Sequence, residues 1–258
     1  LSGPMAPAHS HYDAETREYF SFVPNAGPKS EYNVFSIKTD EETGKPITTI
    51  LATIPSNLAY IHSFSITKKY RNFIRSFVPW DPNKKAHFYV IDRKLKKHVA
   101  TYTSPTFFCF HTINAYDEDD DIIIDLPQYK NNSIIFQLTI DRLLESSEND
   151  AEKLLPKFDL DSVNLKYGSG NFPNAEIAFA MPEDLNVELP VANFSRYYMK
   201  KYRYVYGVSR SDSDSHFLFD RLIKIDLHQT DNESSSHKIW QQFGCTPSEP
   251  IFVSAPNA

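Results

Sequence analysis

The sequence is short of cysteine: Cys109 and Cys245 are its only two, 136 residues apart and without a CxxC pair. Neither a disulfide framework nor a structural zinc site is expected, and a reducing compartment fits better. Long apolar runs are missing as well. Runs such as 107–110 and 122–124 fall far below the ~20 residues that span a bilayer, so no integral membrane protein is expected. Positive charge is not in excess, with 27 Lys and Arg against 33 Asp and Glu and a net charge of −6. No basic field draws in a nucleic-acid backbone, and no nucleic-acid partner is expected. The first residues, Leu1-Ser2-Gly3-Pro4, include no initiator Met, basic stretch or apolar segment of a secretory signal. They read as an internal start, and a cytoplasmic location is expected.

What is present is globular. Hydrophobic residues make up 41% of the chain, charged residues 23% and aromatics 14%, a balance that supports a packed core. A length of 258 residues suits one large domain or two small ones. No composition shift marks a boundary, so a single domain over 1–258 is expected. Short runs rich in Val, Ile, Thr, Tyr and Phe alternate with Pro, Asn, Asp and Ser clusters, which predicts strands. They fall at 19–22, 32–37, 47–53, 61–66, 88–92, 98–103, 107–114, 122–125, 134–140, 175–180, 203–208, 218–226 and 251–253. Their spacing, with turn signals such as Asp40 to Gly44, predicts an all-β antiparallel meander. Only 141–155, opening on Asp141 as N-cap, suggests a helix, or a short helix followed by a loop, since 145–150 is polar and acidic. The polar stretches 209–215 and 230–236 read as exposed hairpin loops.

Nine histidines are present. His87, His98, His216, His228 and His237 sit at strand ends or in polar stretches and need no special account. His9, His62 and His111 lie in or beside apolar or aromatic segments, where an imidazole needs partners. Their separations of 53 and 49 residues approach the ~40–50 residues of a propeller blade. Three imidazoles turned to one axis would suit iron, copper, zinc or nickel, although three spacings among nine histidines can also arise by chance.

The words around these histidines carry a resemblance. Ala8-His9-Ser10-His11-Tyr12-Asp13, Ile61-His62-Ser63-Phe64-Ser65 and Phe110-His111-Thr112-Ile113-Asn114-Ala115 resemble the histidine motifs of the carotenoid cleavage oxygenases. So do Val187-Glu188-Leu189-Pro190, Lys201 to Gly207, Lys224 to Leu227 and Pro247 to Val253. The matches fall in family order along nearly the whole chain, and the wording resembles fungal members that cleave β-carotene or torulene.

The resemblance implies a seven-bladed β-propeller, here incomplete, with at most one or two short helices. It also implies a ferrous ion, Fe(2+), on the axis. Dioxygen would be inserted across a conjugated C=C bond of a lipophilic polyene to give two carbonyl products. His9, His62 and His111 match the first three metal ligands, with His11 as the neighbouring competitor of His9. Glu188 and Glu249 match carboxylates that accept the outer imidazole N–H and so balance the charge of the ion. Phe64, Phe107, Phe108, Phe110 and Phe172 would either line a tunnel for the polyene or form plain core. The family's fourth His is expected beyond Ala258, a further Glu ahead of His9, and the stretch between His62 and His111 is shorter than in family members. Weak iron binding by three histidines is expected in consequence. Cleavage of a stilbene, or a binding module without chemistry, are the alternatives within the same fold. A peripheral membrane contact would bring the substrate within reach.

Overall fold

In the computed structural model the described residues are 7–26, 28–56, 61–67, 71–72, 80–137, 159–165, 175–181, 185–211, 219–228 and 237–255. They fall into two compact units, the first ending at Pro105 and the second starting at Thr106. Every strand pairing in both is antiparallel.

The first unit is built on a four-stranded sheet of β1 (His11–Asp13), β2 (Glu18–Asn25), β3 (Glu31–Thr39) and β4 (Pro46–Pro55), in that spatial order. Period-two alternation buries Phe20 and Phe22 of β2 and leaves Tyr19 exposed. The β3–β4 register slips between Val34 and Phe35, so Leu51 is an extra residue on β4. That bulge lets Leu51 and Ala52, neighbours on β4, both reach the interior. The turn from β3 to β4 is the expected one: the Asp40 carboxylate accepts from the Thr43 N–H at 2.7 Å, and Gly44 takes φ +68°. A two-stranded pair, β5 (Ser65–Ile66) with β6 (Arg71–Asn72), and a hairpin of β7 (Ala86–Asp92) with β8 (Lys97–Ser104) complete the unit.

One charged pair sits inside this apolar unit. Arg93, in the β7–β8 turn, donates to the Asp13 carboxylate at the end of β1, and the two side chains are 10% and 4% exposed. Arg93 also donates to the Thr67 carbonyl at 3.1 Å and lies 4.4 Å over the Phe20 ring. Burial pushes the Asp13 carboxyl up, but the Arg93 hydrogen bond and charge, with the Glu15 and Thr16 N–H groups, outweigh it. The group is held below the ordinary 3.8.

The second unit contains two four-stranded sheets. In the first, β9 (Asn114–Glu118) lies beside β10 (Asp121–Gln128), then β11 (Asp159–Leu165) and β12 (Glu176–Ala180). In the second, β13 (Glu188–Val191), β14 (Tyr204–Ser209), β15 (Arg221–Asp226) and β16 (His237–Gln241) run in chain order. Every residue from Ile122 to Pro127 of β10 is buried, the mark of a strand covered on both faces. Ile113, Tyr116, Ile123, Val187, Val205 and Ile223 join in one core. Among the described residues two short helices, α1 (Ser133–Gln137) and α2 (Phe194–Tyr197), follow β10 and β13. β13 crosses β14 closely: a Cβ on Gly207 would lie 2.3 Å from Val187 Cγ2 and 2.8 Å from the Glu188 carbonyl oxygen. Only glycine fits there.

Most expected strands are present, with four corrections. The expected strand at 61–66 is reduced to Ser65–Ile66, and 61–64 is irregular. The segment 107–113 is not a strand. Phe108 makes one isolated bridge to Tyr129, and the rest of the segment joins no ladder among the described residues. The apolar run expected as a strand at 134–140 begins as helix α1, because the Asn131 side chain accepts the Ser133 N–H at 2.9 Å and caps a turn. Residues 251–253 are extended without a sheet partner among the described residues. Nor is 209–211 an exposed loop: Ser209 ends β14, and Ser211 is buried with Asp220, whose carboxylate accepts its N–H at 2.8 Å. The helix expected at 141–155 and the loop at 230–236 lie outside the described residues.

Two stability outcomes follow from these contacts. Asp13 has a depressed folded-state value, so its contribution is complete above the ordinary 3.8 and is lost as pH falls through the lower folded value. Asp13→Asn should cost roughly 3–5 kcal/mol at neutral pH by leaving Arg93 buried and unpaired. It should also flatten the dependence of the urea midpoint on pH as pH falls from 3.8 through the lower folded value. Gly207→Ala should cost about 1–3 kcal/mol through overpacking, read as a lower urea midpoint at unchanged slope.

Candidate metal centre

His9 lies in irregular backbone two residues ahead of β1 and is exposed; His62 lies half-buried in the irregular stretch ahead of β5. Their Nε2 atoms are 3.1 Å apart, with ring centroids 4.9 Å apart and planes inclined at 63°. Two nitrogens bound to one ion at about 2.1 Å and at right angles would be ~3.0 Å apart. The pair therefore has the spacing of neighbouring ligands, and neutral imidazole is the donor that suits a divalent transition ion.

His11 is turned to a different task. Its Nε2 donates to the Phe64 carbonyl, and its ring meets the Phe64 ring edge-on at 4.5 Å. Between the two candidates of the first motif, the structure pairs His9 with His62 and ties His11 to backbone. Phe64 is fully buried and packs on Phe22 at 5.6 Å, as core.

In the second unit His111 follows the irregular 107–110 stretch and is half-buried. Its Nδ1 donates to Glu188 Oε2 at 2.7 Å, which in a neutral ring fixes the tautomer with the lone pair on Nε2. Glu188, at the head of β13, is buried. Its Oε1 accepts from the Tyr129 hydroxyl at 2.5 Å, and its Oε2 accepts from the Leu189 N–H at 3.0 Å. Leu189 pays for this turn with φ +47°, a conformation that a branched side chain adopts only under constraint. Tyr129 is held in turn by two backbone hydrogen bonds to Phe108, at 2.9 and 2.7 Å. Its phenol is pushed well above its ordinary value by burial and by the Glu188 charge, so it remains a donor. Burial, and then the same charge, raise the Cys109 thiol, which keeps it protonated and inert. Three residues after His111, the Asn114 side chain donates to the Tyr197 and Lys200 carbonyls and accepts the Met199 N–H, each at 3.0 Å. The histidine segment is thus fastened to the turn after α2.

The structure joins Glu188 to His111 and His9 to His62. Glu249 is exposed and lies with Phe252 along an open cleft of about 430 Å³ beside Val191 and Phe194; it makes no contact with a histidine among the described residues. Phe107 and Phe108 are buried, and Phe108 packs against Phe110 and Tyr129 at 4.8 and 5.7 Å. Phe172 lies outside the described residues. Tyr129, Arg93 and Asn114 had no role in the sequence reading. Arg93 and Asn114 act over more than 75 residues of chain, and Tyr129 over 59; no local pattern announces such pairs.

Comparison with known proteins adds identity to this geometry. The chain is 30% identical to the torulene dioxygenase of Gibberella fujikuroi over 307 aligned positions, covering all of this chain and 51% of that protein. It thus spans about half the length of the curated relatives it matches. Among solved structures, cobalt-substituted Synechocystis ACO superposes with TM-score 0.69 at 21% identity, over 100% of this chain and 55% of that one. Pseudomonas brassicacearum lignostilbene dioxygenase superposes with TM-score 0.67 at 18% identity, over 96% and 52%. The antiparallel sheets are accordingly part of a β-propeller of the carotenoid oxygenase kind. Residues 2–258 match the family described as RPE65, retinal pigment epithelial membrane protein, and the chain belongs to that family.

Proposed function

We propose that the protein to which this chain belongs is a non-haem Fe(II) dioxygenase that cleaves a conjugated C=C bond of a carotenoid or apocarotenoid. His9, His62 and His111 act as ligands, and the two units belong to one propeller domain. The observation that carries the reading is the 3.1 Å approach of His9 Nε2 to His62 Nε2, a spacing suited to two bonds to one ion. The torulene dioxygenase relative supports the substrate class, and the cobalt-substituted neighbour supports a divalent metal. A ferrous ion supplies activation of dioxygen, both of whose atoms enter the two carbonyl products as the alkene bond is broken.

The chain's own residues hold and orient. Glu188 accepts the His111 N–H and keeps that ring in one tautomer and one plane, while Tyr129 and the Leu189 N–H keep Glu188 in place. Glu249 is assigned the same orienting task on its resemblance to the family motif alone. The hydrophobic character of a polyene makes a peripheral membrane contact part of the proposal; no helix among the described residues is long and apolar enough to cross a membrane.

The test uses the full-length protein loaded with Fe(II) and given β-carotene, torulene and a hydroxystilbene in turn. Apocarotenoid aldehydes or retinal are the expected products. Aromatic aldehydes from the stilbene alone would replace the substrate class, and no product from any of the three, with metal bound, would leave a binding module. In the same protein, His62→Ala should abolish stoichiometric Fe(II) binding in a titration. Glu188→Ala should weaken it by roughly 10–100-fold, the usual effect of losing the partner of a ligating imidazole.

A further inference from the structure

We propose that Arg93 is a positioning residue for the His9–His62 pair: by bridging Asp13 and Thr67, it fixes the relative placement of the two segments that carry the histidines. The metal-binding consequence of this rests on the reading above; the placement of the rings does not.

Neither histidine is on a regular strand. β1 pairs with β2, β5 pairs with β6, and among the described residues β1 forms no ladder with β5, so side-chain contacts contribute to the relative position of residues 9–13 and 62–67. Three rungs join them in order. His9 meets His62, His11 meets the carbonyl and ring of Phe64, and Asp13 is joined to the carbonyl of Thr67 through the guanidinium of Arg93. The offset along the chain is 53 residues at each of the first two rungs and 54 at the third, which runs through Arg93.

The third rung is the strongest. It is a charge-assisted pair almost out of water, and its partner carboxylate is fixed at the β1–β2 turn by the Glu15 and Thr16 N–H groups at 3.0 and 3.4 Å. The guanidinium is anchored from its own side as well. It lies over Phe20, and its turn is closed by the Asp92 carboxylate, which accepts from the Lys94 and Leu95 N–H groups at 2.8 and 2.7 Å. A planar fork can address a carboxylate and a carbonyl at once. A lysine ammonium would keep the first contact and lose the second. The first rung, which is exposed, thus has its geometry decided at the buried end of the ladder.

The test is made in the full-length protein with Arg93→Met and Arg93→Lys, and with Arg203→Met as a control that breaks the exposed Arg203–Asp226 pair. Cross-relaxation between the His9 and His62 ring protons is measured by NMR in metal-free protein. Co(II) affinity and its ligand-field absorption are measured alongside. The expected result is a ring–ring cross-peak in the parent and in Arg203→Met, weakened in Arg93→Lys and lost in Arg93→Met, with folding retained by far-UV dichroism. Co(II) affinity should fall at least tenfold in Arg93→Met, and its absorption band should shift. A cross-peak that persists in Arg93→Met overturns the proposal whatever cobalt does. Unfolding of both Arg93 variants also overturns it, by assigning Arg93 to stability alone. If the parent binds no Co(II) while the cross-peak still depends on Arg93, the metal reading falls and the positioning role stands.

Discussion

Two imidazole nitrogens 3.1 Å apart impose a choice on the protein. Two lone pairs at that distance repel, so either one ring carries a proton on Nε2 and donates it, or a cation is shared between them. In either state the approach needs a framework, because free side chains on irregular backbone would separate into water. His9 is exposed, and burial therefore does not hold it. What holds it is the set of contacts that join its segment to the one around His62.

That division of labour runs through both units. Strands supply rigidity: β1 to β4 and β13 to β16 are continuous antiparallel sheets. The histidines stand just outside them, at 9, at 62 and at 111, on backbone free of ladder hydrogen bonds. An imidazole within a ladder would point to whichever face the pleat dictated; one on irregular backbone can be aimed by polar contacts. Asp13, Arg93 and Phe64 do this in the first unit, and Asn114 and Glu188 in the second. The close packing of β13 on Gly207, with the left-handed Leu189 beside it, shows how much local constraint is accepted to put one carboxylate in its place.

Sheet content was readable from the sequence because alternation is local. Residues 32–37, 47–53, 88–92 and 98–103 all lie within strands. It was misread where an apolar run does not enter a ladder: 107–113, with one isolated bridge at Phe108, and 134–137, which begins helix α1 after an Asn131 turn. The site was readable in proportion to its local wording. His9, His62, His111 and Glu188 stand in motifs that resemble a family, and the structure pairs them two by two. Glu249 has the motif without a histidine contact among the described residues. Tyr129 and Arg93 could not be found, since a tyrosine beside a strand end and an arginine in a hairpin turn acquire meaning only from partners 59 and 80 residues away.

The two buried carboxylates, Asp13 and Glu188, differ in how their charge is met. Asp13 is balanced on the spot by a guanidinium. Glu188 is as deeply buried, yet among the described residues its partners are a phenol, a backbone N–H and an imidazole, and no lysine or arginine pairs with it. Neutral donors solvate a carboxylate without cancelling its charge, and in a low-dielectric interior that charge acts strongly on whatever positive charge comes within reach. Of the three partners only His111 has a second ring nitrogen, Nε2, on the side away from the carboxylate. The carboxylate is thus solvated by neutral donors without a cationic partner among the described residues, and its one contact with an imidazole fixes which His111 nitrogen faces away from it.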